Sequence, residues 1–150
     1  MEKMRRILVA VPSEGLQREI GELLRREGYE VVRAARGSEA ILAVLGHEID
    51  LALVGLDLTD PDGFQTVEIL RKVRPRLPLV VLSTDPSVEI GRRIWQQGIY
   101  YYLLEPLNPA ELKDVVGSAI RKRHGAQRAG GSQAAVSALE TGAAAPAKAR

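Results

Sequence analysis

Asp50-Leu-Ala-Leu-Val-Gly-Leu-Asp-Leu-Thr-Asp-Pro-Asp-Gly63 is the stretch on which the reading of this chain turns. Leu51 to Leu56 form a short apolar run, broken only by Gly55 and bounded by turn residues. A run of that length predicts a strand buried on both faces, of the kind found inside a parallel sheet. Asp57, Asp60, Pro61, Asp62 and Gly63 then make a carboxylate-rich turn that leads into a helix from Phe64. Open α/β folds place their ligands at such strand-to-helix junctions.

The same alternation extends in both directions. Ile7 to Val11 is a second all-apolar strand, followed by a helix capped by Ser13, striped by Leu16, Ile20, Leu23 and Leu24, and closed by Gly28. Tyr29 to Ala34 reads as a strand, and Gly37-Ser38 opens a helix expected to bury Ile41, Val44 and Leu45. Phe64 to Val73 is helical, with Val67, Leu70 and Val73 on one side, and Leu79 to Leu82 is the fourth strand. Asp85-Pro86 has the form of a cap and first helical residue for a helix carrying Val88, Gly91, Ile94 and Trp95 and ending at Gly98. Ile99 to Leu104 is the fifth strand. Asn108-Pro109-Ala110-Glu111 starts a last helix that buries Leu112, Val115, Val116, Ala119 and Ile120 and stops near His124. Strict β–α alternation implies right-handed crossovers and a parallel sheet with helices on both faces, an α/β domain over residues 1–124. Residues 125–150 are rich in Ala and Gly and too poor in large apolar side chains to offset their ordering entropy, which predicts a disordered tail.

Composition narrows the function. The 150 residues contain no cysteine, which removes disulfides, thiolate nucleophiles and cysteine-bound zinc. No apolar run approaches the length of a membrane span, and no export signal precedes the first strand, so a cytoplasmic protein is expected. The net charge of +2 resides in the tail, where Arg128, Lys148 and Arg150 outnumber Glu140, while residues 1–124 are balanced. A balanced body disfavours nucleic acid as a partner. Arg121-Lys-Arg-His124 reads as a solvated helix end. His47 and His124 lack partners at ligand spacing and read as surface histidines; neither a Gly-x-Gly-x-x-Gly loop nor a P-loop occurs.

The order of elements from about Arg6 to Arg123 resembles the receiver domain of bacterial two-component response regulators. The resemblance rests on residues 24–32, Leu-Arg-Arg-Glu-Gly-Tyr-Glu-Val-Val, on Asp50-Leu51 through Asp62-Gly63, and on residues 77–83, Leu-Pro-Leu-Val-Val-Leu-Ser. Gly98, Tyr102, Leu103 and Pro106 fall where that family has Gly-x-x-x-Tyr-Leu-x-Lys-Pro. It implies a flavodoxin-like (βα)5 fold with strand order 2-1-3-4-5, and a cis peptide at Glu105–Pro106.

In that family an aspartate at the end of the central strand accepts a phosphoryl group. An acidic pair after the first strand helps to bind Mg²⁺, a Ser or Thr ends the fourth strand, and a lysine precedes the proline after the fifth. Metal and lysine neutralise phosphoryl charge, and positioning and electrostatics carry the transfer. Here the acceptor position is Gly55, the acidic pair falls on Val11 and Pro12, and the lysine position is Glu105; only Ser83 is kept. Mg²⁺ needs hard oxygen ligands, and Val11 and Pro12 have no side-chain oxygen. Asp57, two residues on, is a candidate displaced acceptor, set back by ~6.5 Å if the chain stays extended. Asp57, Asp60 and Asp62 also have a plain role in satisfying the backbone of their own turn.

Trp95, Tyr100, Tyr101 and Tyr102 crowd the fourth helix and fifth strand, a surface that receiver domains use for dimers and partners. Alternation predicts Tyr100 and Tyr102 on one face and Tyr101 on the other. Trp95, Tyr100 and Tyr102 are therefore expected on an interaction surface of the fourth helix, fifth strand and fifth helix, with ordinary core packing as the alternative. The expected function is a stand-alone, phosphorylation-independent protein-interaction module, a pseudo-receiver: not an enzyme, with no metal and no cofactor. The alternatives are an active phosphorelay receiver using Asp57 and a flavodoxin-like ligand binder or enzyme.

Overall fold

Five strands and five helices alternate along the chain, and the computed structural model describes residues 3–125. They are β1 (Arg6–Ala10), α1 (Glu14–Arg26), β2 (Glu30–Ala34), α2 (Gly37–Gly46), β3 (Leu51–Gly55), α3 (Gly63–Val73), β4 (Leu79–Ser83), α4 (Val88–Trp95), β5 (Tyr101–Leu104) and α5 (Pro109–Gly125). The strands form one parallel sheet in the order β2-β1-β3-β4-β5, the flavodoxin-like arrangement. The expected tail and the His124 side chain lie outside the described residues.

Strand alternation sorts the core into two layers. Leu8, Ala10, Ala52, Val54, Leu79 and Val81 face Ala40, Val44, Val67, Leu70, Ile94 and Trp95 of α2, α3 and α4. Ile7, Val9, Leu51, Leu53, Val80 and Leu82 face Ile20 and Leu24 of α1 and the stripe of α5 from Leu112 to Ile120. All five residues of β3 and of β4 are buried, as continuous apolar runs at the middle of a doubly covered sheet should be.

Caps set most helix starts. Ser13 Oγ accepts from Leu16 N, and Asn108 Oδ1 accepts from Ala110 N and Glu111 N. Asp62 does the same for α3, accepting from Gln65 N at 2.8 Å. The Asp85-Pro86 start is corrected: α4 begins one turn fraction later, capped by Ser87, whose Oγ accepts from Ile90 N. Asp85 instead accepts from Ser87 N, a local Asx turn that competes with capping. One expected burial also fails. Leu45 on α2 is exposed, because the short stripe of this helix reaches the sheet through Ala40 and Val44.

Candidate functional site

The C-terminal ends of β1, β3, β4 and β5 lie side by side, so residues far apart in sequence converge there. Gly55 is the last residue of β3 and Ser83 the last of β4, both buried. Val11 follows β1, fully buried, with Pro12 exposed beside it. Glu105 follows β5, held by its backbone N–H donating to Ser83 O at 2.8 Å, and its peptide to Pro106 is cis, as is that between Asp60 and Pro61. All five positions named from the sequence thus lie at or just after the C-terminal ends of neighbouring strands.

The expected set-back of Asp57 is corrected. The chain turns immediately after β3, with Leu58 N donating to Gly55 O at 3.2 Å. That turn brings the exposed Asp57 side chain back over Gly55, so that its Oδ1 lies 2.7 Å from where a Cβ on residue 55 would stand. Val11 Cγ1 lies 3.2 Å from the same point. A carboxylate thus occupies the space above the glycine, and a methyl group borders it where the family has an acid.

Electrostatics in the pocket run to one sign. Partial burial raises the Glu105 carboxyl above the ordinary carboxylate range, and the nearby negative charges of Asp57 and Glu19 push it further the same way. Glu19, on α1, carried no sequence signal; only the packing of α1 places it here. Among the described residues, no cluster of three or more His, Asp or Glu side chains is arranged to hold a metal ion. With Val11 and Pro12 beside Gly55, the residues present do not fit the family's Mg²⁺ site.

Ser83 has a structural occupation: its Oγ accepts from Asp85 N at 2.9 Å. Tyr102 adds to the same loop by donating its hydroxyl to Asp85 O at 3.2 Å. Its phenol is pushed up chiefly by burial, which the contact with Ser83 opposes, with a lesser upward push from Asp85.

The aromatic anchors are corrected. Trp95 and Tyr102 are 5% and 1% exposed and belong to the core, which is the alternative the sequence left open. Trp95 meets Tyr101 edge to face, with ring centroids 6.3 Å apart. Tyr100 precedes β5 and so escapes strand alternation: it packs toward the α1–α5 layer, sharing a 2.5 Å hydrogen bond with Ser118 on α5, while Tyr102 faces the other layer. Arg71, which sequence reading passed over, ties α3 to the start of β5. Its guanidinium donates to the carbonyls of Pro75, Leu77 and Gly98, and burial lowers its pKa.

Comparison with known proteins gives consistent results. The family described as "Response regulator receiver domain" matches residues 7–117. Over 116 residues the chain is 28% identical to the transcriptional regulatory protein GlrR of Escherichia coli, covering 77% of this chain and 26% of that protein. It is 30% identical to the DNA-binding transcriptional regulator NtrC of a Bradyrhizobium species, over 76% of this chain and 24% of the relative. The chain therefore spans about a quarter of the length of these two relatives. PdtaR of Mycobacterium tuberculosis is 28% identical over 79% of this chain and 58% of its own. Among solved structures, a CheY-like receiver domain protein of Methanospirillum hungatei superposes with a TM-score of 0.78 at 24% identity, over 81% of this chain and 98% of that one. Chemotaxis protein CheY4 of Vibrio cholerae gives 0.73 at 24% identity, over 78% and 99%.

Proposed function

The chain belongs to the response regulator receiver domain family, a family of signal transduction, and from that premise we propose that it is a pseudo-receiver: a phosphorylation-independent protein-interaction module rather than an enzyme. The observation that carries this reading is the composition of the pocket. Gly55 has no acceptor oxygen, Val11 and Pro12 supply no metal ligand, and Glu105 adds a negative charge at the position of the family's lysine. Phosphoryl transfer rests on neutralising charge at the acceptor, and this pocket concentrates charge of the same sign.

The partner in this reading is another protein, or a second copy, on the exposed face of α4, β5 and α5. Trp95 and Tyr102 are not its anchors. Exposed Val88 and Arg92 on α4 remain as contact residues. No helix of the described residues is long and apolar enough to cross a membrane, and a cytoplasmic setting accords with this reading.

One observation favours a second reading, a receiver that uses Asp57 as its acceptor: the Asp57 carboxylate stands over Gly55. Intact-mass measurement after incubation with acetyl phosphate and Mg²⁺ separates the two. The pseudo-receiver retains its mass. Gain of one phosphoryl group, lost in Asp57→Asn, would establish the second reading instead.

A further inference from the structure

A cleft of about 560 Å³ opens at the opposite end of the sheet from the pocket above. It forms where β1, β3 and β4 enter the sheet, from residues 3–6, 48–50 and 74–77. A five-residue strand spans ~16 Å, so the cleft is separate from the Gly55 pocket. Its size lies within the ~300–1,000 Å³ usual for small-molecule sites.

Its charge is one-sided. Lys3, Arg5, Arg6, Arg74 and Arg76 line it, against Glu48 and Asp50, and Glu30 pairs with Arg6 from outside at 2.9 Å, so cations exceed these carboxylates by two. The body of the chain is balanced overall, so the fold has gathered this excess from three separate segments. The carboxylates have other work: Asp50 Oδ2 accepts from Arg6 N at 2.8 Å, and Glu48 pairs with exposed Lys3. Arg76 is exposed and carries no ion pair among the described residues.

Two helix C-termini, of α2 and α3, end at this side, and their free carbonyls by themselves repel anions. Arg74 covers both ends. It donates to Val44 O at 3.1 Å and to Val73 O at 3.3 Å, which masks the negative ends and holds the guanidinium at the cleft. Met4, half exposed, stands with buried Ile49 and Leu77 as an apolar wall beside the cations. Cations next to an apolar wall suit an anion carried on a flat or apolar body.

We propose that this cleft binds a small phosphorylated ligand, its phosphates on Arg76 and Arg5 and its body against Met4. The site is independent of the Gly55 pocket and of whether that pocket is phosphorylated. The test is an amide NMR titration of the full chain at low salt without Mg²⁺, with pyrophosphate, ATP and uncharged adenosine as probes. Pyrophosphate or ATP shifts the amides of Asp50, Arg76 and Leu77 saturably, with a Kd of ~1 mM or tighter, and adenosine alone does not. Tighter binding of ATP identifies a nucleotide-class ligand, and equal binding an inorganic phosphate. Arg76→Glu weakens either by roughly tenfold or more, whereas Arg18→Glu, on the exposed side of α1, changes nothing. The proposal is overturned if neither anion gives saturable shifts, if the shifts map to the Gly55 end of the sheet, or if Arg76→Glu binds as the parent does.

Discussion

Asp57 folds back over Gly55, its Oδ1 2.7 Å from the point a Cβ on that glycine would occupy. The position where the resemblance expects the family's acceptor is thus a glycine covered by a carboxylate from two residues on. Any side chain at residue 55 must first displace Asp57 and then pass Val11 Cγ1 at 3.2 Å.

That relationship predicts energetic coupling. Gly55→Ala should cost about 1 kcal/mol in the parent and less in an Asp57→Ala background, since the obstructing atom is then gone; coupled sites give interaction energies of about 0.5 kcal/mol or more. Urea denaturation of the four proteins of the cycle measures it. Additive costs would mean that Asp57 does not guard the position.

Gly55→Asp alone should not restore a phosphoaspartate. The new carboxylate would join Asp57 and Glu105 with no cation beside it. Two like charges ~4 Å apart repel by about 4 kcal/mol at an effective dielectric near 20. Restoration should need Gly55→Asp with an acid at Val11 or Pro12 and Glu105→Lys. A stable phosphorylated form of Gly55→Asp by intact-mass analysis would refute this.

Glu105 should make the protein less stable as pH rises. Its folded pKa lies above the unfolded one, so the folded state holds the extra proton between the two values. Stability therefore falls through that window, from the ordinary carboxylate value upward, and the penalty is complete above the folded pKa. Glu105→Gln removes it, raising stability at pH 7 and flattening the profile between pH ~4 and 7. The group is half-buried and solvent still screens it, so the gain should be about 0.5 kcal/mol or less. Thermal melts across that range decide, and an unchanged profile would remove Glu105 as the cause.

Trp95→Ala should destabilise by about 3–5 kcal/mol, as for a large ring deleted from a core. As the chain's one tryptophan, Trp95 also reports its own burial: its fluorescence should resist acrylamide until the protein unfolds. Strong quenching in the native state would show the ring to be accessible after all.

Gly37 and Gly46, at the two ends of α2, should respond oppositely to alanine. A Cβ on Gly37 would lie 2.4 Å from Pro61 O and from Thr66 Oγ1, and the first of these is backbone that cannot swing aside. Gly46 has nothing within 4 Å. Gly37→Ala should cost about 2 kcal/mol or more by overpacking. Gly46→Ala should gain about 0.5 kcal/mol by restricting the unfolded chain. Equal responses would mean that α2 does not dock tightly on the loop after β3.

The residues alone carried the architecture. Apolar runs at Ile7–Val11, Leu51–Leu56 (broken only by Gly55) and Leu79–Leu82, alternating with striped helices, specify buried parallel strands, because both periods are local. The residues that the resemblance sets at the acceptor, acidic-pair and lysine positions, Gly55, Val11 with Pro12, and Glu105, could also be read off once family positions were matched. What lay beyond reach depended on distance in space. A tight turn rather than an extended chain carries Asp57 back over Gly55, the packing of α1 brings Glu19 toward Glu105, and three strand entries gather the basic cleft. The aromatic cluster was visible as composition, but which rings face solvent was settled by how α4 sits on β5. Trp95 and Tyr102 point inward, into the cluster with Leu70, Leu79, Val81 and Ile94, a placement that no spacing along the chain contains.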